Sequence, residues 1–298
     1  MTALAIFVSD VHLSHKAPSL RVDEPDWYGA MDMALRELYH FQKELGKPPI
    51  IYAGDIFDHW KSPPELINFA LQTLPPGFAI PGQHDLPNHS YEEIEKSAYW
   101  TLVEGGVIKT IEPGVPAITE RLTLHGFPWG YLPTPCHRDS MASRHIAVIH
   151  EYCWTGKHKY LTAPPENEAS SFDLTGYDYA VFGDNHIGFV QGNICNTGGF
   201  MRRHKPDMNR EPFVGVLDSK LGIRRHLLTT CDDIYSLTDD DVEETGVVDL
   251  GEFTDGLLAL RNSKELDFST LIRRYCREHE ISSLVDNVIQ SAIERENE

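Results

Sequence analysis

Pro49-Ile50-Ile51-Tyr52-Ala53-Gly54-Asp55-Ile56-Phe57-Asp58 is the stretch whose reading decides the fold. An apolar run rises to Ala53 and breaks at Gly54, and the carboxylates of Asp55 and Asp58 follow. A short continuous apolar run reads as a strand buried on both faces, as in a parallel sheet. The polar group then stands at the carboxyl end of the strand. The same pattern recurs on both sides. Upstream, Ala3-Leu4-Ala5-Ile6-Phe7-Val8 closes at Ser9-Asp10. Downstream, Phe78-Ala79-Ile80 runs into Gly82-Gln83-His84-Asp85.

Helices are predicted between these strands. Asp26 to Leu45 carries Met31, Ala34, Leu35, Leu38, Phe41 and Leu45 at helical spacing, and Gly46 closes it. Glu65 to Leu74 follows Pro63-Pro64. The series is β-α-β-α-β, and such sheets bind ligands outside the carboxyl ends of their strands. Strands continue at Glu120 to Phe127, at Ile146-Ala147-Val148-Ile149 before His150, and at Tyr179-Ala180-Val181-Phe182 before Gly183-Asp184-Asn185-His186. Pro212 to Asp218 and Ile223 to Leu228 read as an antiparallel pair turning at Ser219-Lys220-Leu221-Gly222.

The 298 residues suit one large α/β domain with a small appendage. The catalytic domain is expected over 1–230. An acidic linker is expected over 231–256, where ten Asp and Glu stand with no Lys or Arg. A helical region is expected over 257–298, with Leu284, Val288, Ile289 and Ile293 on one helix face. No run approaches a membrane span, and no signal peptide is read at the N terminus. Five widely spaced cysteines without C-x-x-C favour a reducing cytoplasm and structural thiols. The formal charge of −19 argues against tight binding of nucleic acid by bulk charge alone. The 15 histidines point instead to metal, for which imidazole is the commonest ligand.

Five polar clusters stand at strand ends in fixed order: Asp10-x-His12, Gly54-Asp55-x-x-Asp58, Gly82-Gln83-His84-Asp85, His150, and Gly183-Asp184-Asn185-His186. Alone, each has a plainer reading. Asp10 could cap a helix, and His150 could be a satisfied core histidine. Together they can converge on one crevice, whose natural occupant is a pair of divalent cations. The glycines allow sharp turns off the strands.

The ordered set resembles the motif series of the calcineurin-like metallophosphoesterases: D-x-H, G-D-x-x-D, G-N-H-D, a lone His and G-H-x-H. The resemblance covers about residues 3 to 200. It departs at Gln83, where the family has Asn, and at Asp184, where it has His. It implies an α/β fold of two sheets packed as a β-sandwich flanked by helices. It implies one metal on Asp10, His12, Asp55 and His186, and a second on Asp55, Gln83, His150 and Asp184. Asp58 would lie beside the ligands, Asp85 would orient His84, and His84 would protonate the leaving alcohol as water attacks phosphorus in line. With Asp184 in place of an imidazole, the second site has three oxygen donors and one nitrogen. That biases it toward a harder ion, Mn²⁺ ahead of Zn²⁺, with Mg²⁺ or Fe²⁺ as further options.

Finer features resemble the SbcD-type DNA nucleases of this superfamily. They are Ala53-Gly54-Asp55-Ile56-Phe57-Asp58, the small-residue turn Asn196-Thr197-Gly198-Gly199-Phe200, and the C-terminal helices. Gly82-Gln83-His84-Asp85-Leu86-Pro87-Asn88-His89 is similar to small phage-type members. This resemblance implies DNA as substrate, a role in repair, recombination or replication, an SbcC-type ATPase partner bound by the C-terminal helices, and a homodimer. Between Gly199 and His226, seven Lys and Arg face three Asp and Glu. Arg202 and Arg203 in this strip, and Trp60 as a base-stacking ring, are expected to bind substrate. Two alternatives stand beside the nuclease. One is a phosphodiesterase or pyrophosphatase for nucleotides or lipid headgroups, since the phrases around His12 and Trp60 also resemble lipid-precursor hydrolases. The other is a scaffold subunit whose altered ligands have weakened catalysis.

Overall fold

The computed structural model describes residues 2–138, 143–160, 163–229 and Tyr235. In chain order the strands and α-helices are β1 (Ala3–Val8), α1 (Trp27–Glu44), β2 (Ile50–Ala53), α2 (Pro64–Thr73), β3 (Gly77–Ile80), α3 (Ala98–Glu104), β4 (Ile108–Thr110), β5 (Ala117–Ile118), β6 (Leu122–Phe127), β7 (Arg144–Ile149), β8 (Tyr179–Phe182), β9 (Phe189–Gln191), β10 (Ile194–Asn196), β11 (Phe213–Asp218) and β12 (Gly222–Leu227). They form two six-stranded mixed sheets. One has the order β12-β11-β1-β2-β3-β4 and the other β5-β6-β7-β8-β10-β9. The expected linker at 231–256 and helices at 257–298 lie outside the described residues, apart from Tyr235.

The apolar runs are continuous because each strand feeds two cores. Ala5 and Phe7 of β1 join Ile51 and Ala53 of β2 in a core shared with Leu124, Ile146, Val148 and Val181 of the other sheet. Ile6 and Val8 point the opposite way, among Met31, Leu35 and Leu38 of α1. A side-chain period of two thus divides one run between the sandwich interior and the helix layer. Helix α1 starts where Asp26 accepts from the Gly29 N–H at 2.8 Å, and it ends at Gly46, whose φ is +84°. A third core covers the outer face of the second sheet, with Ala147, Ile149, Ala180 and Phe182. No described helix is long and apolar enough to cross a membrane.

Register places the chemistry. In the first sheet Val8 pairs with Tyr52 and Ala53 with Ile80, all in parallel. In the second, Phe127 pairs with Ile149 and Ile149 with Phe182, again in parallel. The carboxyl ends of β1, β2 and β3 therefore finish nearly level, as do those of β6, β7 and β8. The segment from α3 to β5 extends both sheets at one edge and was not anticipated, because its strands are two or three residues long.

Candidate metal centre

The residues that follow these strand ends meet. Asp10 and His12 leave β1, Asp55 leaves β2, Gln83 and His84 leave β3, His150 leaves β7, and Asp184 and His186 leave β8. The turns after β1 and β2 are bonded to each other: Asp10 N–H donates to Gly54 O (3.1 Å), His12 N–H to Asp55 O (3.0 Å) and Leu13 N–H to Ile56 O (2.8 Å). Asp10, His12, Asp55 and Asp184 all have φ between 48° and 74°. Non-glycine residues seldom occupy this left-handed region, and strain of this kind gathers at functional sites.

Three glycines make room as well as turns. A Cβ on Gly54 would lie 2.0 Å from His150 Nδ1, one on Gly82 would lie 2.1 Å from Asp55 Oδ1, and one on Gly183 would lie 2.5 Å from His150 Nδ1. The buried imidazole of His150 and the carboxylate of Asp55 fill the space that larger residues would take. Sequence reasoning assigned these glycines to chain reversal alone.

The centre has two halves that share Asp55. In the first, His12 Nε2 lies 3.1 Å from His186 Nε2, 3.9 Å from Asp10 Oδ1 and 3.7 Å from Asp55 Oδ2. His186 Nε2 lies 3.8 Å from Asp10 Oδ1. In the second, His150 Nε2 lies 3.4 Å from Asp55 Oδ2 and donates to Gln83 Oε1 at 2.6 Å, while Gln83 Nε2 donates to Asp184 Oδ1 at 2.6 Å. The Asp184 N–H donates to Asp10 Oδ1 at 3.0 Å, tying the halves together.

These residues fit a metal pair. Asp10 Oδ2 and Asp55 Oδ2 are buried oxygens without a hydrogen-bond partner, a costly arrangement that a cation would relieve. Donor atoms of Asp10, His12 and His186, and of Asp10, Asp55 and His150, all lie within 4.8 Å of one another. Burial pushes His12 and His186 below the usual imidazole range, so both are neutral, the form that ligates metal. Burial also pushes Asp10 up, to about 8. Burial opposes charge on His150, but Asp55, with Asp10 and Asp184, outweighs it and raises the ring to about 10. Its Nδ1 lies 2.6 Å from Ala53 O, so both ring nitrogens face oxygen acceptors, as an imidazolium requires.

Around the ligands the expected roles change. His84 is exposed at the rim, and its ring stands edge-on to His12 at 5.0 Å. Its Nδ1 donates to the backbone carbonyl of Asp58 at 2.9 Å. Asp58, not Asp85, therefore orients His84. Asp85 is fully buried and accepts from the N–H groups of Ile56, Phe57 and Gly82 at 3.0–3.1 Å, so it locks the turns that carry Asp55 and Gln83. Arg203 is not part of an exposed strip. It is 4% exposed, with Nη2 on Asp58 Oδ1 at 2.7 Å and Nη1 on the carbonyl of His12. It anchors the chain at His12 from beneath. With burial opposing charge, His12 and Arg203 together lower the Asp58 carboxyl to about 2.

Arg202 is half-buried and lines a cleft of 540 Å³ that begins at His186 and also contains Lys157, Arg210 and Arg225. Trp60 is half-exposed and stacks on the exposed ring of His59 at 5.6 Å. Sequence reasoning missed a supporting network behind the ligands. Ser9 Oγ and Thr197 Oγ1 are 2.8 Å apart, and Asn196 Nδ2 donates to Asn185 O at 2.8 Å. This network gives a structural role to the small polar turn after β10, which in sequence carried only a likeness to the DNA nucleases.

The sequence model of the calcineurin-like phosphoesterase family matches residues 4–188. No curated protein matches the chain in sequence. Solved structures with a similar course include the calcineurin-like phosphoesterase YfkN from Bacillus subtilis, with 10% identity, 84% of this chain and 96% of that chain covered, and a TM-score of 0.45. The phosphoesterase YfcE from E. coli shows 13% identity, 78% and 96% coverage, and a TM-score of 0.36. A metallophosphoesterase from Sphaerobacter thermophilus shows 15% identity, 78% and 91% coverage, and a TM-score of 0.36. Likenesses this distant carry no argument about activity. The family match spans more than half the chain and all five strand-end clusters, and on that ground the chain belongs to the calcineurin-like phosphoesterases, hydrolases that work with two metal ions.

Proposed function

We propose that the chain hydrolyses phosphodiesters, with DNA as the substrate. The observation that carries this reading is the cleft continuing from His186, whose wall presents Lys157, Arg202, Arg210 and Arg225. Lys157 and Arg225 are exposed, while Arg210 is partly engaged by Asp207 at 2.7 Å. The lining also includes Asp207 and Glu211, and its remaining excess of cations beside a hydrolytic centre suits a substrate with phosphates beyond the scissile one. His59 and Trp60 follow Asp58, whose carbonyl holds His84, and offer stacking faces to unpaired bases.

Asp10, His12, Asp55 and His186 would hold one metal ion, and Asp55, Gln83, His150 and Asp184 the other. Bound cations supply Lewis acidity at the phosphoryl oxygens and activation of water. The three oxygen donors of the second half favour Mn²⁺ there. The chain's own residues do the rest. His84 holds a proton at Nε2, with Nδ1–H fixed on Asp58 O, and delivers it to the departing oxygen. Asp85 and Arg203 keep the ligand turns rigid so that the donors stay in place.

A nucleotide-sized substrate is the second reading, because 540 Å³ lies in the ordinary range for small-molecule sites. Degradation of a labelled linear duplex in Mn²⁺, beside hydrolysis of bis(p-nitrophenyl) phosphate and of nucleotide esters, separates the two. The nuclease reading expects duplex or single-strand degradation that is lost in Asp55→Asn. Turnover of nucleotide esters without degradation of DNA would replace it with the second reading.

A further inference from the structure

We propose that His125, Cys136 and His145 form a zinc site separate from the dinuclear centre. His125 lies on β6 and His145 on β7, which pair in parallel with Thr123 opposite His145 and His125 opposite Ala147. Leu124 and Ile146 face the sandwich interior, so alternation turns both histidines to the outer face of the sheet. Cys136 comes from the loop after β6. Its position is fixed from two sides: Cys136 N–H donates to Thr175 O at 2.8 Å, and Tyr177 Oη donates to Thr134 O at 3.0 Å. Arg138 adds a bond to Gly176 O at 2.8 Å and an ion pair with Asp178. Gly176 leaves room for this seat, since a Cβ there would meet Cys136 O at 2.1 Å.

The donor atoms form a small triangle. His125 Nε2 is 3.1 Å from His145 Nδ1, and Cys136 Sγ is 3.6 Å from the first and 3.4 Å from the second. A tetrahedral zinc ion with its usual bonds to sulfur and imidazole sets its ligands about 3.3 Å apart for two nitrogens and about 3.6 Å apart for nitrogen and sulfur. The triangle matches one face of that tetrahedron to about 0.2 Å. One thiolate with two imidazoles is a soft donor set that selects zinc over the hard ions suited to the dinuclear centre. The cluster borders a 200 Å³ cleft lined also by Tyr177 and the exposed His137, which lets water complete the coordination. Binding would release the thiol proton and join β6, β7 and the connecting loop on the outer face of the second sheet.

The test is cobalt substitution in the full chain. Neither half of the dinuclear centre contains sulfur, so a sulfur-to-cobalt charge-transfer band reports the proposed site alone. The expected result is three metals per chain and a clear band in the wild type. Cys136→Ser should lose the band and one metal, with hydrolysis of bis(p-nitrophenyl) phosphate retained. His125→Gln should lose the same metal and serves if the serine variant misfolds. Two metals per chain without a band, or a band that survives in Cys136→Ser, would overturn the proposal; the cluster would then be a hydrogen-bonded group.

Discussion

The two halves of the metal centre share Asp55 yet are built differently. The first, around His12 and His186, is joined by a single contact. Its imidazole nitrogens are in hydrogen-bond contact at 3.1 Å, both rings are neutral, and Asp10 Oδ2 is buried without a hydrogen-bond partner, while the equally unpartnered Asp55 Oδ2 faces both halves. The second is closed on itself, with His150 bonded to Gln83 and Gln83 bonded to Asp184. The two departures from the family pattern touch each other. The longer amide of Gln83 reaches the carboxylate that replaces an imidazole, so the substitutions form one hydrogen-bonded unit. A cation entering the first half displaces the single His12–His186 contact and relieves an electrostatic cost, whereas one entering the second must displace two bonds.

The largest effect tests what the halves have in common. Asp55→Asn weakens both, and turnover of bis(p-nitrophenyl) phosphate is expected to fall by more than about 10³-fold. A variant that keeps a tenth of wild-type turnover would show that Asp55 is not shared. His84→Ala removes the proton donor while keeping every residue assigned as a ligand of either half. A loss of about 10²-fold to 10⁴-fold with unchanged metal content is expected. A variant with normal turnover would remove His84 from the chemistry.

Arg203→Met separates positioning from substrate binding. As an anchor under His12 and Asp58, its loss should lower metal affinity or kcat by about 10-fold to 100-fold, with less effect on KM. A rise in KM alone would restore the substrate-binding role expected from sequence. The smallest effect is in pH. Protons compete with metal at Asp10, raised to about 8, and at His150, raised to about 10. Loading of both halves weakens as pH falls below about 8. Between about 8 and 10, only the second half still exchanges a proton for a metal. Its Mg²⁺ affinity should therefore keep rising up to tenfold per pH unit there, while that of the first half levels off. Parallel rises in both halves across this range would erase the distinction.

Most of the centre was legible because each ligand directly follows a buried apolar run. Gly54-Asp55 after Ala53, and His150 after Ile149, declare themselves within a few residues. What was not legible depends on contacts between distant parts of the chain. Arg203 looks like an exposed cation until the fold sets it against His12, 191 positions away. Asp85 looks like a partner for His84 until three backbone N–H groups converge on it. Cys136 reads as one scattered thiol, because only the register of β6 against β7 brings His125 and His145 to its side. Gln83 and Asp184 were read as separate departures, and only the packing of the two sheets pairs them.

The most direct test of this difference is a Mn²⁺ titration of the metal-free chain beside the Gln83→Asn/Asp184→His double variant. The wild type should bind in two unequal steps, and restoring the family's residues should strengthen the weaker step while leaving the tighter one in place. Two equal steps in the wild type, or a double variant whose weaker step is unchanged, would contradict the account.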